Sequence, residues 1–352
     1  MSLAVPAARP APPLAPPPGT AASSLGAALD AALDACQRRL APATARAALD
    51  ALVADLAQLR GRTPPDAWRA AVTALRAGDR PHPLLERLAE DPYTAAALTK
   101  PRGYAGDAHT LDFVYGRRAL GPDVPALGRA LHAVTTGVPV AEAVRARLAH
   151  VAEAVHDAVA GAARPDAVVV SVACGHLREL HAVPAERLAR ATVVAVDQDP
   201  VTLAALPALH PSRPVTPVRA RVRDLIAGAA ARDAIPEADL IYAAGLYDYL
   251  DDPAAAALTR TLAARLRPGG TLLVANLTPV VDEAAFMEAV MDWWMVYRDA
   301  AALARAGAAA GDPALAVDSY TVAEGRVACV RVTRDATRDA TGSASRASAG
   351  PA

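Results

Sequence analysis

The chain has 352 residues, with 36 basic and 37 acidic side chains and a formal net charge of −1. This balance argues against nucleic acid or an anionic membrane surface as the main partner, since both usually require a basic surplus. No apolar run approaches the ~20 residues of a membrane span, and three widely separated cysteines form neither a disulfide framework nor a zinc site, so a cytoplasmic location fits.

In chain order, a Pro- and Ala-rich segment over 1–23 predicts a disordered N-terminal tail. Over 24–160, apolar residues recur at helical spacing and prolines separate the segments, which predicts an N-terminal helical domain that acts as a lid. Within it, KPRGYAGDAHTLDFVY (100–115) contains two Gly, one Pro and three aromatic residues. This segment predicts an ordered loop that runs into a short helix.

Strand and helix patterns alternate over 161–332, which predicts a doubly wound, Rossmann-like α/β sheet in a second domain. The last two strand patterns flank Gly325 and predict a hairpin at the sheet edge, and a second disordered tail follows over 333–352. The predicted strands are PDAVVVSVACG, ATVVAVD, PVTPVRARV, ADLIYAAG, GGTLLVAN, DSYTVAE and VACVRVTR.

A nucleotide-type site is predicted where the first strands of this sheet end, because ligands of doubly wound sheets bind there. Gly175 allows a tight turn after the first strand, but a single Gly is not the GxGxxG dinucleotide fingerprint. Asp197, at the end of the second strand, can accept the ribose hydroxyls of an adenosine, and Asp224 can accept the adenine amino group. This set is typical of a site for S-adenosylmethionine (SAM); alternatively, both acids only cap helices.

Five motifs in this order, KPRGYAGD, SVACGHLREL…VAVDQDP, YAAGLYDYL, RPGGTLLVANLTP and MDWWMVYR, resemble a bacterial group of class I SAM-dependent methyltransferases. The resemblance covers roughly Asp91 to Val332. Some members of the group are assigned to the formation of 3-hydroxy fatty acid methyl esters in extracellular-factor synthesis. The resemblance implies a seven-stranded sheet with an antiparallel last strand and SAM contacts at Gly175, Asp197 and Asp224. The sequence departs from the class pattern in having His176 where a second Gly is common.

The candidate residues for SAM binding lie at the predicted strand ends and in the KPRGYAGD loop. They are Tyr104, Ala173, Gly175, Asp197, Gln198, Asp224, Leu225 and Gly245. Cys174 and His176 are interpreted as packing or turn residues rather than catalytic groups, because they lack partners at metal-ligand spacing.

The chain has only 13 aromatic residues, and most fall into three groups that a lid could bring near a sulfonium cation. Tyr104 and Tyr247 are predicted to contact this cation and to act in catalysis. A third group lies in FMEAVMDWWMVYR (286–298), which is predicted to form one helix. In this segment the Met stripe at 287, 291 and 295 favours a core role.

Two further residues are candidates for catalysis. Arg102 could hold the carboxylate of SAM or of an acidic substrate, or form a salt-bridged loop clasp with Lys100 and Asp107. Asn276, the only Asn, could orient a nucleophile or the SAM amino group, or cap a turn.

These observations favour a methyltransferase that acts on a small or acyl carboxylic acid or a hydroxyl acceptor. A carboxylate acceptor needs no base, whereas a hydroxyl would need one, and Asp248 or Tyr247 could supply it. The alternative is a cyclase that converts SAM alone into azetidine-2-carboxylic acid and methylthioadenosine. A non-catalytic SAM-binding protein is a third hypothesis, and the single-Gly loop argues against a nicotinamide dehydrogenase. The sequence predicts no metal and leaves the oligomeric state open.

Overall fold

The structure is a computed structural model that describes residues 18–77, 81–162, 164, 166–213 and 215–337. The first helix begins at Pro18, six residues inside the predicted N-terminal tail, and the rest of that tail lies outside the described residues. At the other end, the last strand continues to Arg334, so the predicted C-terminal tail begins too early. Residues 338–352 lie outside the described residues.

The N-terminal part is helical, as predicted. Proline occupies the first turn of several helices, where its missing N–H costs no hydrogen bond. Asp91 and Asp107 cap two of them by accepting hydrogen bonds from backbone N–H groups. The helices are α1 (Pro18–Arg39), α2 (Ala45–Gly61), α3 (Pro65–Ala77), α4 (Pro83–Leu88), α5 (Pro92–Thr99), α6 (Ala108–Val114), α7 (Ala126–Thr135) and α8 (Pro139–Gly161).

Seven strands form one sheet in the order β3-β2-β1-β4-β5-β7-β6. The first five are parallel, and β7 runs antiparallel to both of its neighbours, β5 and β6. This confirms the predicted Rossmann-like, seven-stranded sheet with an antiparallel last strand and an edge hairpin. The strands are β1 (Ala167–Val172), β2 (Ala191–Asp197), β3 (Val215–Arg219), β4 (Ala238–Ala243), β5 (Leu266–Leu277), β6 (Leu315–Val322) and β7 (Val327–Arg334).

The remaining helices connect the strands, and one of them differs from the prediction. Residues 286–298 do not form one helix, because the chain leaves the helix at Asp292, which has a φ of +49°. Residues 292–299 belong to no helix or strand, so Met295 leaves the predicted Met stripe, although Met287 and Met291 are buried in the core. The helices are α9 (Ala185–Leu188), α10 (Pro200–Leu209), α11 (Val222–Ala227), α12 (Ala229–Asp233), α13 (Asp252–Ala263), α14 (Ala284–Met291) and α15 (Ala300–Ala308).

The core lies on both faces of the sheet, since the side chains of β1 alternate between them. Val168 and Val170 pack with the residues of α13 and α15, whereas Val169 packs with the N-terminal helices. The two predicted domains thus share one hydrophobic core. Glu288 of α14 ties them further, since its buried carboxylate accepts hydrogen bonds from Arg60 and Trp68. No helix in the described part of the chain is long and apolar enough to cross a membrane.

Candidate functional site

A cavity of about 410 Å³ lies at the carboxyl ends of β1, β2 and β4, at the point where the strand order reverses. The loop over 100–107 and helix α6 cover it from the helical part of the chain. Most of the predicted site residues meet in its wall. These are Arg102, Tyr104, Ala173, Gly175, Asp197, Gln198, Leu225 and Gly245.

The turn after β1 forms the floor of the cavity in an unusual backbone conformation. Ala173, Gly175 and Leu177 all have φ values of +50° to +54°, in the left-handed region. A Cβ on Gly175 would also meet the Ala108 side chain of the lid at 3.4 Å. The Gly175 N–H points back to the second strand and donates to Asp197 Oδ2 at 3.1 Å. The left-handed backbone conformation at position 175 favours glycine.

Asp197 lies at the end of β2 and is only 4% exposed. Its two oxygens accept backbone N–H groups, Oδ2 from Gly175 at 3.1 Å and Oδ1 from Asp199 at 2.9 Å. A carboxylate has about four lone pairs, so acceptor capacity remains for a ligand. Burial raises the pKa of Asp197 because it disfavours the charged form.

Asp224, the predicted adenine-binding acid, does not line the cavity. It lies in the first turn of α11, where its Oδ2 accepts the Arg221 N–H at 3.3 Å, so it acts as a helix cap. The neighbouring Leu225 does line the cavity. The Asp224 side chain belongs to the terminus of α11, in line with the alternative interpretation that it caps a helix.

The structure also corrects the assignments of Tyr247 and Asn276. Tyr247 is fully buried on the face of the sheet that packs with α13 and α15, where its hydroxyl is 2.9 Å from Thr259 Oγ1. Asn276 is fully buried at the end of β5, where it donates to the Val296 carbonyl and accepts from Arg298 Nη1. Both side chains are held by protein partners in the core and cannot act in the cavity.

Tyr249, rather than Tyr247, provides an aromatic side chain in the cavity wall. Its ring lies 6.2 Å from that of Tyr104, with an angle of 72° between the ring planes, and both rings line the cavity. The indole N–H of Trp293 donates to the Tyr249 hydroxyl at 2.8 Å. Gly106 lies in the loop over 100–107, called the lid loop below. It packs on Tyr249 and Trp293, since a Cβ there would lie 2.3 Å from the Tyr249 oxygen.

Several charged residues of the cavity wall were missed by sequence reasoning. Asp112 accepts two hydrogen bonds from Arg178 at 2.6 and 2.7 Å and contacts His176 Nδ1 at 2.9 Å. Glu179, which is buried, accepts a hydrogen bond from the Tyr242 hydroxyl. Burial raises the pKa of the Glu179 carboxyl. Arg178 and Glu179 belong to the SVACGHLREL motif, but that motif does not indicate their partners Asp112 and Tyr242, which they meet only through packing.

A buried ion pair lies beneath the cavity, and sequence reasoning missed its basic partner, Arg147. Arg147 of α8 lines the cavity, and its Nη1 lies 3.2 Å from Asp248 Oδ2. Asp248 also accepts the Leu277 N–H at 2.7 Å. Its carboxylate is therefore engaged by two protein donors, which argues against the role of general base considered for it.

The lid loop is fixed by ion pairs, but with other partners than predicted. Arg102 Nη1 lies 2.9 Å from Asp199 Oδ2, and Lys100 pairs with Asp292. Only the backbone N–H of Arg102 reaches Asp107, at 3.2 Å. The loop is thus fastened to the N-terminus of α10 on one side and to the end of α14 on the other. The Arg102 head group is occupied by Asp199, which favours the clasp over direct contact with a ligand carboxylate.

Cys174 and His176 remain interpreted as packing or turn residues. Cys174 is buried, and burial raises the pKa of its thiol well above the ordinary value, so the thiolate is disfavoured. His176 is paired with Asp112. Within the described ranges, no three His, Cys, Asp or Glu side chains are grouped so that they could hold a metal ion.

The Tyr104 ring provides a test of cation binding. Replacing Tyr104 with alanine should weaken SAM binding about twofold to thirtyfold more than binding of S-adenosylhomocysteine (SAH), which lacks the cation. Titration calorimetry with both ligands measures the difference. The matched control is Tyr247→Phe, which should leave the ratio of the two affinities unchanged. Equal losses for both ligands in Tyr104→Ala would show that Tyr104 is structural.

No protein-family profile and no curated protein matches the chain. Among solved structures, a "possible exported protein" from Bordetella parapertussis is similar over 91% of this chain and 100% of that one, with 22% identity and a TM-score of 0.56. An O-methyltransferase family protein from Burkholderia thailandensis aligns over 89% of this chain and 95% of that one, with 19% identity and a TM-score of 0.43. Magnesium protoporphyrin IX methyltransferase from Synechocystis, with bound SAM, aligns over 69% and 97%, with 11% identity and a TM-score of 0.43. The first similarity shows the fold, and at these identities none of them shows an activity.

Proposed function

We propose that the cavity binds SAM and that the protein is a SAM-dependent methyltransferase. The observation that carries this proposal is the charge pattern of the cavity. Asp112 is paired with Arg178, but neither Asp197 nor Glu179 has an ion-pair partner among the described residues. Two buried carboxylates without cationic partners favour a ligand that brings positive charge.

SAM fits this pattern in charge. Its ribose hydroxyls would bind the free acceptor sites of Asp197, as in other doubly wound sheets. Its ammonium group would offset the charge of Glu179, and its sulfonium would lie against the rings of Tyr104 and Tyr249, which attract cations.

When bound, SAM supplies a methyl group that passes to a nucleophile, and the C–S electron pair remains on sulfur to give SAH. The protein contributes alignment and exclusion of water, because the lid loop is fastened over the cavity by Arg102 and Lys100. Burial raises the pKa of Tyr104, so its phenolate is not available as a base. This favours an acceptor that is already a nucleophile, such as a carboxylate.

One observation favours a second candidate, the cyclisation of SAM. In this reaction the α-amine attacks Cγ, the C–S bond breaks, and methylthioadenosine leaves with the electron pair. The amine must lose a proton to close the ring, and Glu179 has a pKa raised by burial at the place proposed for the amine. The Glu179 carboxylate could accept this proton.

A product assay separates these functions. Purified protein is incubated with SAM alone and with panels of carboxylic acids and hydroxyl compounds. SAH formed only in the presence of an acceptor supports the methyltransferase, and methylthioadenosine from SAM alone supports the cyclase. Tight SAM binding without either product would indicate a non-catalytic binding protein. Absence of SAM binding would contradict the proposal.

The raised pKa of Glu179 predicts a pH dependence of SAM binding. As the pH falls, Glu179 takes up a proton at a higher pH than an ordinary glutamate and can no longer offset the ligand's ammonium charge. As the pH is lowered, SAM affinity should therefore begin to fall while the pH is still above 4.5, the ordinary pKa of glutamate. Calorimetric titrations from pH 8 down to pH 5 measure this. The variant Glu179→Gln should lose less affinity over this range than the unchanged protein, because the contribution of Asp197, whose pKa burial also raises, remains. An identical profile in the variant would exclude Glu179 as a source of the loss.

A further inference from the structure

The lid loop meets the chain that follows α14 along a seam beside the cavity. At the more exposed end of this seam, Lys100 pairs with Asp292. At its buried end, Gly106 packs against the ring of Trp293, where a Cβ would lie 2.6 Å from the nearest ring carbon. The seam consists of Lys100, Tyr104, Gly106, Tyr249, Asp292 and Trp293.

Both members of the ion pair have an uncommon backbone conformation. Lys100 is the C-cap of α5 with a φ of +50°, and Asp292 is the C-cap of α14 with a φ of +49°. This left-handed region places the Cβ close to the following carbonyl oxygen, although Asp and Asn tolerate it better than other residues. Such strain persists only where surrounding contacts hold it, and it is concentrated in segments that change conformation. Breaking the pair would release both residues.

The other side of the lid loop is held more firmly than the seam. Arg102 pairs with Asp199, whose side chain is 10% exposed and caps α10. The fully buried Asp107 caps α6 and also accepts the backbone N–H of Arg102. By contrast, the side chains of Lys100 and Asp292 are 31% and 35% exposed, so water weakens their attraction. Of the two ion pairs that fasten the loop, the one at the seam is therefore easier to break.

Asp292 has further partners, but they do not fasten the lid loop. Trp294 Nε1 donates to Asp292 Oδ1 at 2.9 Å. The positive charge of Arg76 on α3 also acts on Asp292, while its Nη2 donates to backbone carbonyls in the last turn of α14. Both partners lie on the same side of the seam as Asp292. The bond across the seam is therefore made by Lys100.

We propose that ligands enter and leave the main cavity through this seam, and that Asp292 keeps it closed by holding Lys100. When the pair breaks, the lid loop separates from Trp293 and Tyr249 but stays attached to Asp199. Asp292 does not line the cavity, so it acts as a positioning residue. This inference rests on the proposed function, because it concerns how SAM and SAH reach their site.

The rate constants of SAH binding test the seam as the entry route. Asp292→Asn removes the charge but keeps an oxygen for Trp294 and a residue that tolerates the left-handed conformation. Stopped-flow fluorescence with the full-length protein should show association and dissociation both about twofold to fivefold faster, the effect of losing a partly exposed ion pair. The Kd should stay within about twofold. A residue that only supports the folded site would raise the dissociation rate alone.

The chemical reactivity of Lys100 tests the ion pair without any ligand. Lys100 is the only lysine of the chain, so its acetylation by N-acetoxysuccinimide can be followed by peptide mass spectrometry. It should react about twofold to fivefold faster in Asp292→Asn. The matched control is Glu324→Gln, which breaks a pair with Arg326 in the β6–β7 turn, also at a residue with a positive φ. This control should change neither the acetylation rate nor the SAH rate constants.

A second variant opens the seam while the ion-pair residues remain. Gly103 of the lid loop has a φ of +93°, and a Cβ there would meet no atom within 4 Å, so Gly103→Ala disfavours only the backbone conformation of the closed loop. It should also raise both SAH rate constants and the acetylation rate of Lys100. Unchanged SAH rate constants in both variants, or faster dissociation alone, would overturn the entry route.

Failure of the proposed function would be seen separately, because the unchanged protein would then bind no SAH. The acetylation rates would still decide whether Asp292 holds Lys100. Equal rates in the unchanged protein and in Asp292→Asn would overturn that role, whether or not SAH binds.

Discussion

Replacing Arg147 with leucine should lower the free energy of unfolding by about 3–5 kcal/mol, because it leaves the Asp248 carboxylate buried without a cation. The two side chains are only 5% and 3% exposed, and their atoms lie 3.2 Å apart. Burial would lower the pKa of Arg147, but the attraction of Asp248 outweighs this effect and the pKa of Arg147 is raised. Burial raises the pKa of Asp248, and the charge of Arg147 opposes that rise. Urea denaturation without ligand measures the loss.

Two controls show whether the lost charge pair is the cause. Arg46→Leu removes a basic residue from an exposed pair with Asp50 and should cost at most about 1 kcal/mol. The double variant Arg147→Leu/Asp248→Asn should recover part of the loss, because the Asn oxygen can still accept the Leu277 N–H. An Arg147→Leu protein as stable as the Arg46→Leu protein would mean that the pair contributes nothing to stability.

The sheet and its strand ends could be predicted because their signals are local. The β-branched run of β1 marks a buried parallel strand, and the chain must turn where that strand stops. Gly175 and Asp197 occupy such strand ends, so their places in the cavity wall follow from the order of strands alone. The same reasoning located Gly245 and Leu225.

The predictions that failed depend on contacts between distant parts of the chain. Tyr247 and Tyr249 are the first and last residues of a short 3₁₀ turn, and the direction of each ring depends on the elements that pack against that turn. Helix α14 ends at Asp292, whose carboxylate binds Lys100 about two hundred positions earlier. The spacing of apolar residues around Asp292 does not indicate this partner.

The charged residues of the cavity wall also depend on contacts between distant parts of the chain. Arg147 lies in a regular helical pattern, where a basic residue usually indicates a solvated surface. It is buried because Asp248, brought close by the end of β4, offers a partner. Glu179 lies within the SVACGHLREL motif, but its place in the cavity wall depends on its contact with the distant Tyr242. Sequence patterns therefore located the residues at the strand ends, such as Gly175 and Asp197, whereas the charged residues of the rest of the wall required the packed structure.

Replacing Asp197 with alanine should weaken SAM binding by about tenfold or more, because it removes a charged acceptor proposed to bind the ribose hydroxyls. SAH should lose a similar factor, since both ligands carry the same ribose. The side chain also holds the turn after β1 through the Gly175 N–H, so part of the loss reflects a less ordered turn. Titration calorimetry with both ligands, together with a check of cooperative unfolding, measures the effect.

Asp224→Ala is the matched control, because the sequence assigns Asp224 to the adenine whereas the structure places its side chain in the cap of α11. This variant should bind SAM within about twofold of the unchanged protein and lose only the stability of a helix cap, about 0.5–2 kcal/mol. Unchanged affinity in Asp197→Ala would contradict the ribose assignment. A loss in Asp224→Ala as large as in Asp197→Ala would instead show that ligand binding draws the α11 terminus into the site.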